Sequence, residues 1–162
     1  MTSRSATYFD DTPGWRLATQ MVIIKATREL VLYDRDTALF NLEDHATFQA
    51  LKALCLRTIS KGCLRLLVHD ATFIEQKSTR LLTLCAHFGH RLSIRVIRDE
   101  AVDDLPPFII SDKRNLATRF HHDSLRGKLC QDHSAECTDY LDKFDTLWQR
   151  GSPGPSGLPL GI

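Results

Sequence analysis

The chain has no hydrophobic run long enough to cross a membrane, no CxxC pair, no glycine-rich phosphate loop and no excess of either charge. Each absence closes a class. A spanning helix needs about 18 apolar residues in succession, and no stretch approaches that. The opening Met1-Thr2-Ser3-Arg4-Ser5-Ala6 lacks the apolar centre of a secretory signal. Twenty-one Lys+Arg against 20 Asp+Glu leave a formal charge of +1. That balance excludes a strongly basic nucleic-acid binder and an acidic tail protein, though not a local patch. The patterns GxGxxG, GxxxxGK[ST], GxSxG and HExxH are all missing, so the common phosphate cradles, the nucleophile elbow and the zinc-protease helix are excluded.

What is present is the composition of one ordinary domain: 162 residues, 43% hydrophobic and 25% charged. A chain of this size buries roughly 70% of the surface its unfolded form exposes, enough for a core without staples. The five cysteines, Cys55, Cys63, Cys85, Cys130 and Cys137, are odd in number, and three sit in apolar stretches. They fit buried thiols in a reducing compartment better than a disulfide framework, and the cytoplasm is the expected location.

Periodicity divides the chain. Residues 1–12 are polar and aperiodic, and are expected to be a flexible N-terminal segment. Trp15, Leu17, Ala18, Met21, Val22 and Ile24 recur at helical spacing behind Thr12-Pro13. Residues 29–34 read as a short buried strand. A second helix from Asp44 carries Phe48, Leu51, Cys55 and Ile59 on one face and stops at Lys61-Gly62. Residues 64–70 form the clearest strand, 79–88 a helix closed by Gly89, and 92–97 a strand alternating on a period of two. Beyond an acid- and proline-rich turn at 103–107, strands at 107–111 and 116–120 flank a hairpin connection at 112–115. Residues 121–133 read as a long loop. A last helix from about Ser134 to Gln149 has Cys137, Tyr140, Leu141, Phe144, Leu147 and Trp148 as its apolar stripe. Residues 151–162 form a Gly/Pro-rich tail. The expected architecture is a single α/β domain over residues 13–150. It has a mixed, mostly parallel sheet, helices on both faces, and a C-terminal β-hairpin plus helix.

Chemistry-bearing residues gather at strand ends. Asp34 and Asp36 follow the first strand, and His69 and Asp70 end the second. In open α/β sheets ligands bind beyond the carboxyl ends of parallel strands. An imidazole beside a carboxylate suits acid–base work or a metal, whereas helix capping and strand termination are the commoner uses of such residues. His121, His122, Asp123, Cys130, Asp132, His133 and Cys137 are the densest group of metal-ligand types. The Cys130-x2-His133-x3-Cys137 spacing matches no common zinc framework, and Cys137 falls on an apolar stripe, so no metal or other cofactor is expected. Arg91, Arg95 and Arg98, and Lys113, Arg114 and Arg119, could bind phosphate through arginine's planar fork. Interspersed acids favour solvated surface instead.

The chain from about Pro13 to Arg150 resembles phospholipase D-like domains. The segment from Glu29 to Asp70 is similar to their opening: a strand, a helix reaching a basic-Gly turn, and a strand ending in Asp. Tyr140-x3-Phe144-x3-Trp148 resembles their closing helix, and the hairpin centred on Asp112 falls where they place the catalytic motif. The likeness is greatest to a group of bacterial single-domain proteins with a degenerate form of this pattern. Active members carry His-x-Lys-x4-Asp-x6-Gly-Ser, in which the His attacks phosphorus and the Lys clamps phosphate oxygens. With the motif's Asp set on Asp112, its His and Lys positions fall on Leu105 and Pro107. Its Gly-Ser positions fall on Arg119 and Phe120. No register restores the motif, because the residues two beyond each of the seven His are Thr, Ala, Gly, Leu, Asp, Ser and Ala.

The resemblance therefore implies a phospholipase D-like domain without that chemistry, serving as a binding or regulatory module. Its ligand would be a phosphate-bearing molecule or a protein partner, and near-zero charge argues against nucleic acid. Asp34, His69, Asp70, Asp112, Arg119 and His121 are the candidate ligand-binding residues. By analogy two chains would pair with their site faces together. Two other readings stand beside it. One is an enzyme of another mechanism using His69 with Asp34 or Asp70, or a metal near His121 and Cys130. The other is an accessory subunit docking through the Trp148 helix and the Leu158-Leu160-Ile162 tail.

Overall fold

Local signals set the element boundaries. The computed structural model describes residues 6–58, 62–98 and 105–157. A short strand, β1 (Ala6–Phe9), precedes α1 (Thr12–Lys25), whose N-cap is Asp11: its carboxylate accepts from the Gly14 N–H at 2.8 Å, with Pro13 in the first turn. β2 (Leu30–Asp34) follows, buried along its whole length. Asp44 caps α2 (His45–Arg57) through the Thr47 N–H, which leads to β3 (Leu64–Val68). The apolar face expected on this second helix holds at Leu51 and Cys55, while Ile59 and Lys61 lie outside the described residues. α3 (Thr72–Lys77) and α4 (Thr79–Phe88) come next. Gly89 then turns the chain at φ +54° into β4 (Leu92–Val96). β5 (Phe108–Ser111), β6 (Asn115–Arg119) and β7 (Gly127–Cys130) meander to α5 (Ser134–Arg150) and the two-residue β8 (Ser152–Pro153).

The strands form one sheet in the order β1-β7-β6-β5-β2-β3-β4-β8. Helices cover both faces, as expected for this α/β domain. Trp15, Val22, Leu51, Leu54, Ile74, Leu81 and Leu84 pack α1 to α4 on one face, against Leu30, Leu32, Leu66 and Ile94. On the other face Cys137, Phe144, Leu147 and Trp148 of α5 pack against Val31, Leu67, Phe108, Ile110 and Leu116. Trp148 is thus inside the domain, 7% exposed, with Arg95 over its ring at 4.5 Å. Alternation along β2 feeds both cores, since Leu30 and Leu32 face one way and Val31 and Tyr33 the other.

The expected balance of pairing is corrected. Only β2–β3 and β3–β4 are parallel, and the other pairings are antiparallel, so the mixed sheet is mostly antiparallel. β4 finishes at the same end of the sheet as β2, and β5 begins at that end beside Tyr33. No crossover helix is needed there, so β5 runs back against β2 and the following strands alternate.

Three short strands fall where aperiodic chain is expected. β7 occupies the end of the expected 121–133 loop, and β1 pairs with it from Ala6 opposite Cys130 to Phe9 opposite Gly127. Gly127 is required at that crossing, because a Cβ there would lie 2.0 Å from the Thr118 carbonyl oxygen and 2.6 Å from the Phe9 ring. At the other margin Ser152 and Pro153 pair with β4, and Gly157, at φ +73°, sits against the α4 backbone at Leu82. Leu158, Leu160 and Ile162 lie outside the described residues, as do Asp103 and Asp104 of the 103–107 turn.

Candidate functional site

β2, β3, β4 and β6 all finish at one end of the sheet. Their last residues, and those just beyond, include Asp34, His69, Arg98 and Arg119. Asp34 is 2% exposed at the end of β2, and one of its oxygens accepts from the Thr37 N–H at 2.9 Å. Its other oxygen lies 3.4 Å from Arg119 Nη2, and both side chains are 3% exposed. Arg119 Nη1 donates to the carbonyls of His122 at 2.9 Å and Ser124 at 3.1 Å, and its guanidinium lies 5.1 Å from the centre of the Trp15 ring. Burial pulls the Arg119 guanidinium below its ordinary value, and the carboxylates of Asp34 and Asp36 oppose that shift. It remains the cation of a buried pair.

His122 completes the cluster. Its Nε2 bonds the Leu105 carbonyl at 3.0 Å, and a carbonyl only accepts, so that nitrogen carries a proton. Nδ1 then faces Asp34 at 3.7 Å. Between this cluster and His69 stands Tyr33, with its ring 5.9 Å from His122 and 5.6 Å from His69. The Tyr33 hydroxyl and His69 Nε2 are 2.6 Å apart, a short hydrogen bond. Among the described residues, Trp15 Nε1, Thr37 Oγ1, Arg119 Nε and His122 Nδ1 are buried without a hydrogen-bond partner, and all four residues touch Asp34 or Arg119. Four of the five such atoms thus gather at this polar centre, the fifth being Ser78 Oγ at the start of α4.

The six residues singled out from sequence fall in different places. Asp34 and Arg119 meet directly, and His69 joins them through Tyr33. Asp70 is exposed, and its carboxyl is held below the ordinary range by the hydroxyl and N–H of Thr72 at the start of α3. His121 is exposed on the loop after β6. Asp112 stands at the opposite end of the sheet, in the β5–β6 turn at φ +53°. There it accepts from the N–H groups of Thr27, Arg28 and Glu29 at 2.8 to 3.1 Å, closing the α1–β2 connection. Burial pushes the Asp112 carboxyl up, but those N–H donors outweigh it and the net shift is down.

Tyr33 is absent from the residues singled out from sequence, and His122 enters there only among the metal-ligand types. Tyr33 reads as the core of an apolar strand, and His121-His122 offers no pattern telling which ring turns inward. Among the described residues no group of three or more His, Cys, Asp or Glu is placed to hold a metal ion. His133 instead caps α5, its Nδ1 accepting from the Glu136 N–H. Cys130 and Cys137 lie in the α5 core, and burial pushes the Cys137 thiol up to about 12. Beside His69 opens a groove of 970 Å³ lined by Asp70, Thr72, Glu75, Arg98 and residues 152–157.

This architecture is the phospholipase D fold. The chain is similar to Nuc from Salmonella typhimurium, a phospholipase D family member, at 13% identity and a TM-score of 0.65, covering 95% of this chain and 100% of that one. NucT from Helicobacter pylori is similar at 9% identity and a TM-score of 0.60, over 93% of this chain and 99% of that one. TrmBL2, an archaeal chromatin protein described by a novel mode of DNA binding, is similar at 14% identity and a TM-score of 0.69. There 95% of this chain is covered but only 55% of that one. At these identities the likeness is one of fold. No curated protein matches the chain. The chain belongs to the family described as Domain of unknown function (DUF7931), whose model matches residues 12–156.

Proposed function

We propose that this chain is a phospholipase D-like domain without hydrolytic chemistry, a binding or regulatory module for a phosphate-bearing ligand or a protein partner. The observation that carries the reading is the buried Asp34–Arg119 pair, 3.4 Å apart at the strand ends. A guanidinium neutralised by a buried carboxylate and fastened to two carbonyls is poorly disposed to clamp a phosphate. Leu105 and Pro107, the positions the resemblance gives to the motif's His and Lys, are apolar and buried. Neither side chain can attack phosphorus or neutralise an anion. Recognition then falls to the groups lining the neighbouring groove, His69, Thr72 and Arg98. Five buried reduced cysteines support placement in a reducing compartment such as the cytoplasm, and pairing of two chains belongs to the same proposal.

The test is direct. Purified protein incubated with bis(p-nitrophenyl) phosphate should release no nitrophenolate above the rate with heat-denatured protein. Inorganic phosphate and a short phosphopeptide should perturb the NMR signals of His69 and Arg98, and light scattering reports the pairing. Turnover abolished by His69→Ala with folding intact would overturn the non-catalytic reading. It would favour the second one, an acid–base enzyme built on the 2.6 Å Tyr33–His69 hydrogen bond at the mouth of the groove.

A further inference from the structure

The helical layer on the α1–α2 face carries an unusual combination of side chains. Among the described residues five large hydrophobic side chains are exposed, and three are here: Leu17 at 60%, Ile24 at 59% and Leu56 at 63%. Leu17 and Ile24 are seven apart on the outward line of α1, and Leu56 is on the outward line of α2, which packs beside it. Neither helix contains an Asp or Glu, whereas Arg16, Lys25, Lys52 and Arg57 are exposed on them and Arg28 follows α1. Of the acids bordering this layer, Asp11 and Asp44 cap the helix N-termini, Glu43 accepts from the Arg80 N–H and Asp112 holds the 27–29 turn, while Asp10 is exposed ahead of α1. Glu29 is half-buried. On the opposite face α5 carries four acids, Glu136, Asp139, Asp142 and Asp145, against the two bases Lys143 and Arg150.

From this surface we infer a peripheral membrane-binding face, with α1 and α2 lying against an anionic lipid surface. Cations alone would suit any polyanion, and cations at helix C-termini also answer the helix dipole. The three exposed aliphatic side chains decide between partners. They gain nothing from a sugar–phosphate backbone and offer no ring for bases to stack on, but they partition into the acyl boundary beneath a headgroup layer. The inference is independent of the strand-end site, which lies at the sheet end rather than on the helix face.

The experiment is co-sedimentation of the full chain with vesicles of phosphatidylcholine, with and without phosphatidylserine. Binding is expected only with phosphatidylserine and should weaken with added salt. Arg28→Gln and Lys52→Gln should each reduce the partition coefficient about fivefold. Leu17→Gln combined with Ile24→Gln and Leu56→Gln should abolish binding while leaving the thermal transition and circular dichroism unchanged, since none of the three is in the core. No binding to anionic vesicles overturns the inference. So does binding that the triple variant retains, which would signify a general polyanion site, or concentration-dependent self-association through the acidic α5 face in its place.

Discussion

Asp34 and Arg119 are each costly to bury, and the fold tolerates them only together. Taking away one partner of a buried ion pair leaves an uncompensated charge and typically costs about 3–5 kcal/mol. Arg119→Ala should therefore lower stability by about that amount in urea denaturation. The double variant Asp34→Leu, Arg119→Met should lose much less than the sum of its single changes. Additive losses would show that the two side chains are not coupled. Asp112 presents the opposite case, a carboxylate satisfied by backbone N–H groups at a turn. Its carboxyl is held below the ordinary range in the fold, so its ionised form favours the native state. That contribution is present above the ordinary carboxyl value of about 4 and is lost as pH falls through the lower native value. Asp112→Asn should cost about 1–3 kcal/mol at neutral pH. It should also flatten the loss of stability seen in wild type on acidification from about pH 5. An unchanged pH profile would remove Asp112 from that role.

Elements with a strong internal period were legible from sequence, and elements made by distant pairing were not. α4 is expected at 79–88 and spans Thr79–Phe88, because the apolar face of Leu81, Leu82, Leu84, Cys85 and Phe88 and the closing glycine are local signals. β1 and β7 have four residues each, and β1 is almost fully exposed. Their evidence lies in each other, across more than a hundred residues of chain, where no local period reports it. The site divides in the same way. Strand ends mark Asp34 and His69, and Arg119 stands out as an arginine near the hairpin, but the inward turn of His122 depends on the Leu105 carbonyl arriving from a separate segment. Asp112 was grouped with the site because a hairpin turn gives no sign of which end of the sheet it occupies. The β1–β7–β6 margin can be tested at one atom. Gly127→Ala drives a methyl into the Thr118 carbonyl and the Phe9 ring. The expected loss is about 1–3 kcal/mol from overpacking alone. Hydrogen exchange should quicken in β1 and β7 before it does in β2 and β3. Uniform exchange across the sheet would count against a locally loosened margin.

At the scale of the whole molecule, one sheet serves two cores. β2 alternates between them residue by residue, and β5 and β6 do the same through Ile109 and Ala117 on one face and Phe108, Ile110 and Leu116 on the other. Neither core can melt without stripping one side of strands that the other still needs, so the two faces should unfold as one unit. Leu54, 1% exposed on α2, and Phe144, fully buried on α5, probe opposite sides. Sheet-to-helix packing of about 10 Å on each side keeps them beyond direct contact. Leu54→Ala should cost about 2–5 kcal/mol and Phe144→Ala about 3–5 kcal/mol. Each should shift a single urea transition to lower denaturant without changing its slope, and at this separation the two losses should add within about 0.5 kcal/mol in the double variant. Two resolved transitions, or a slope lowered in one variant alone, would mean that the α5 layer unfolds independently of the rest.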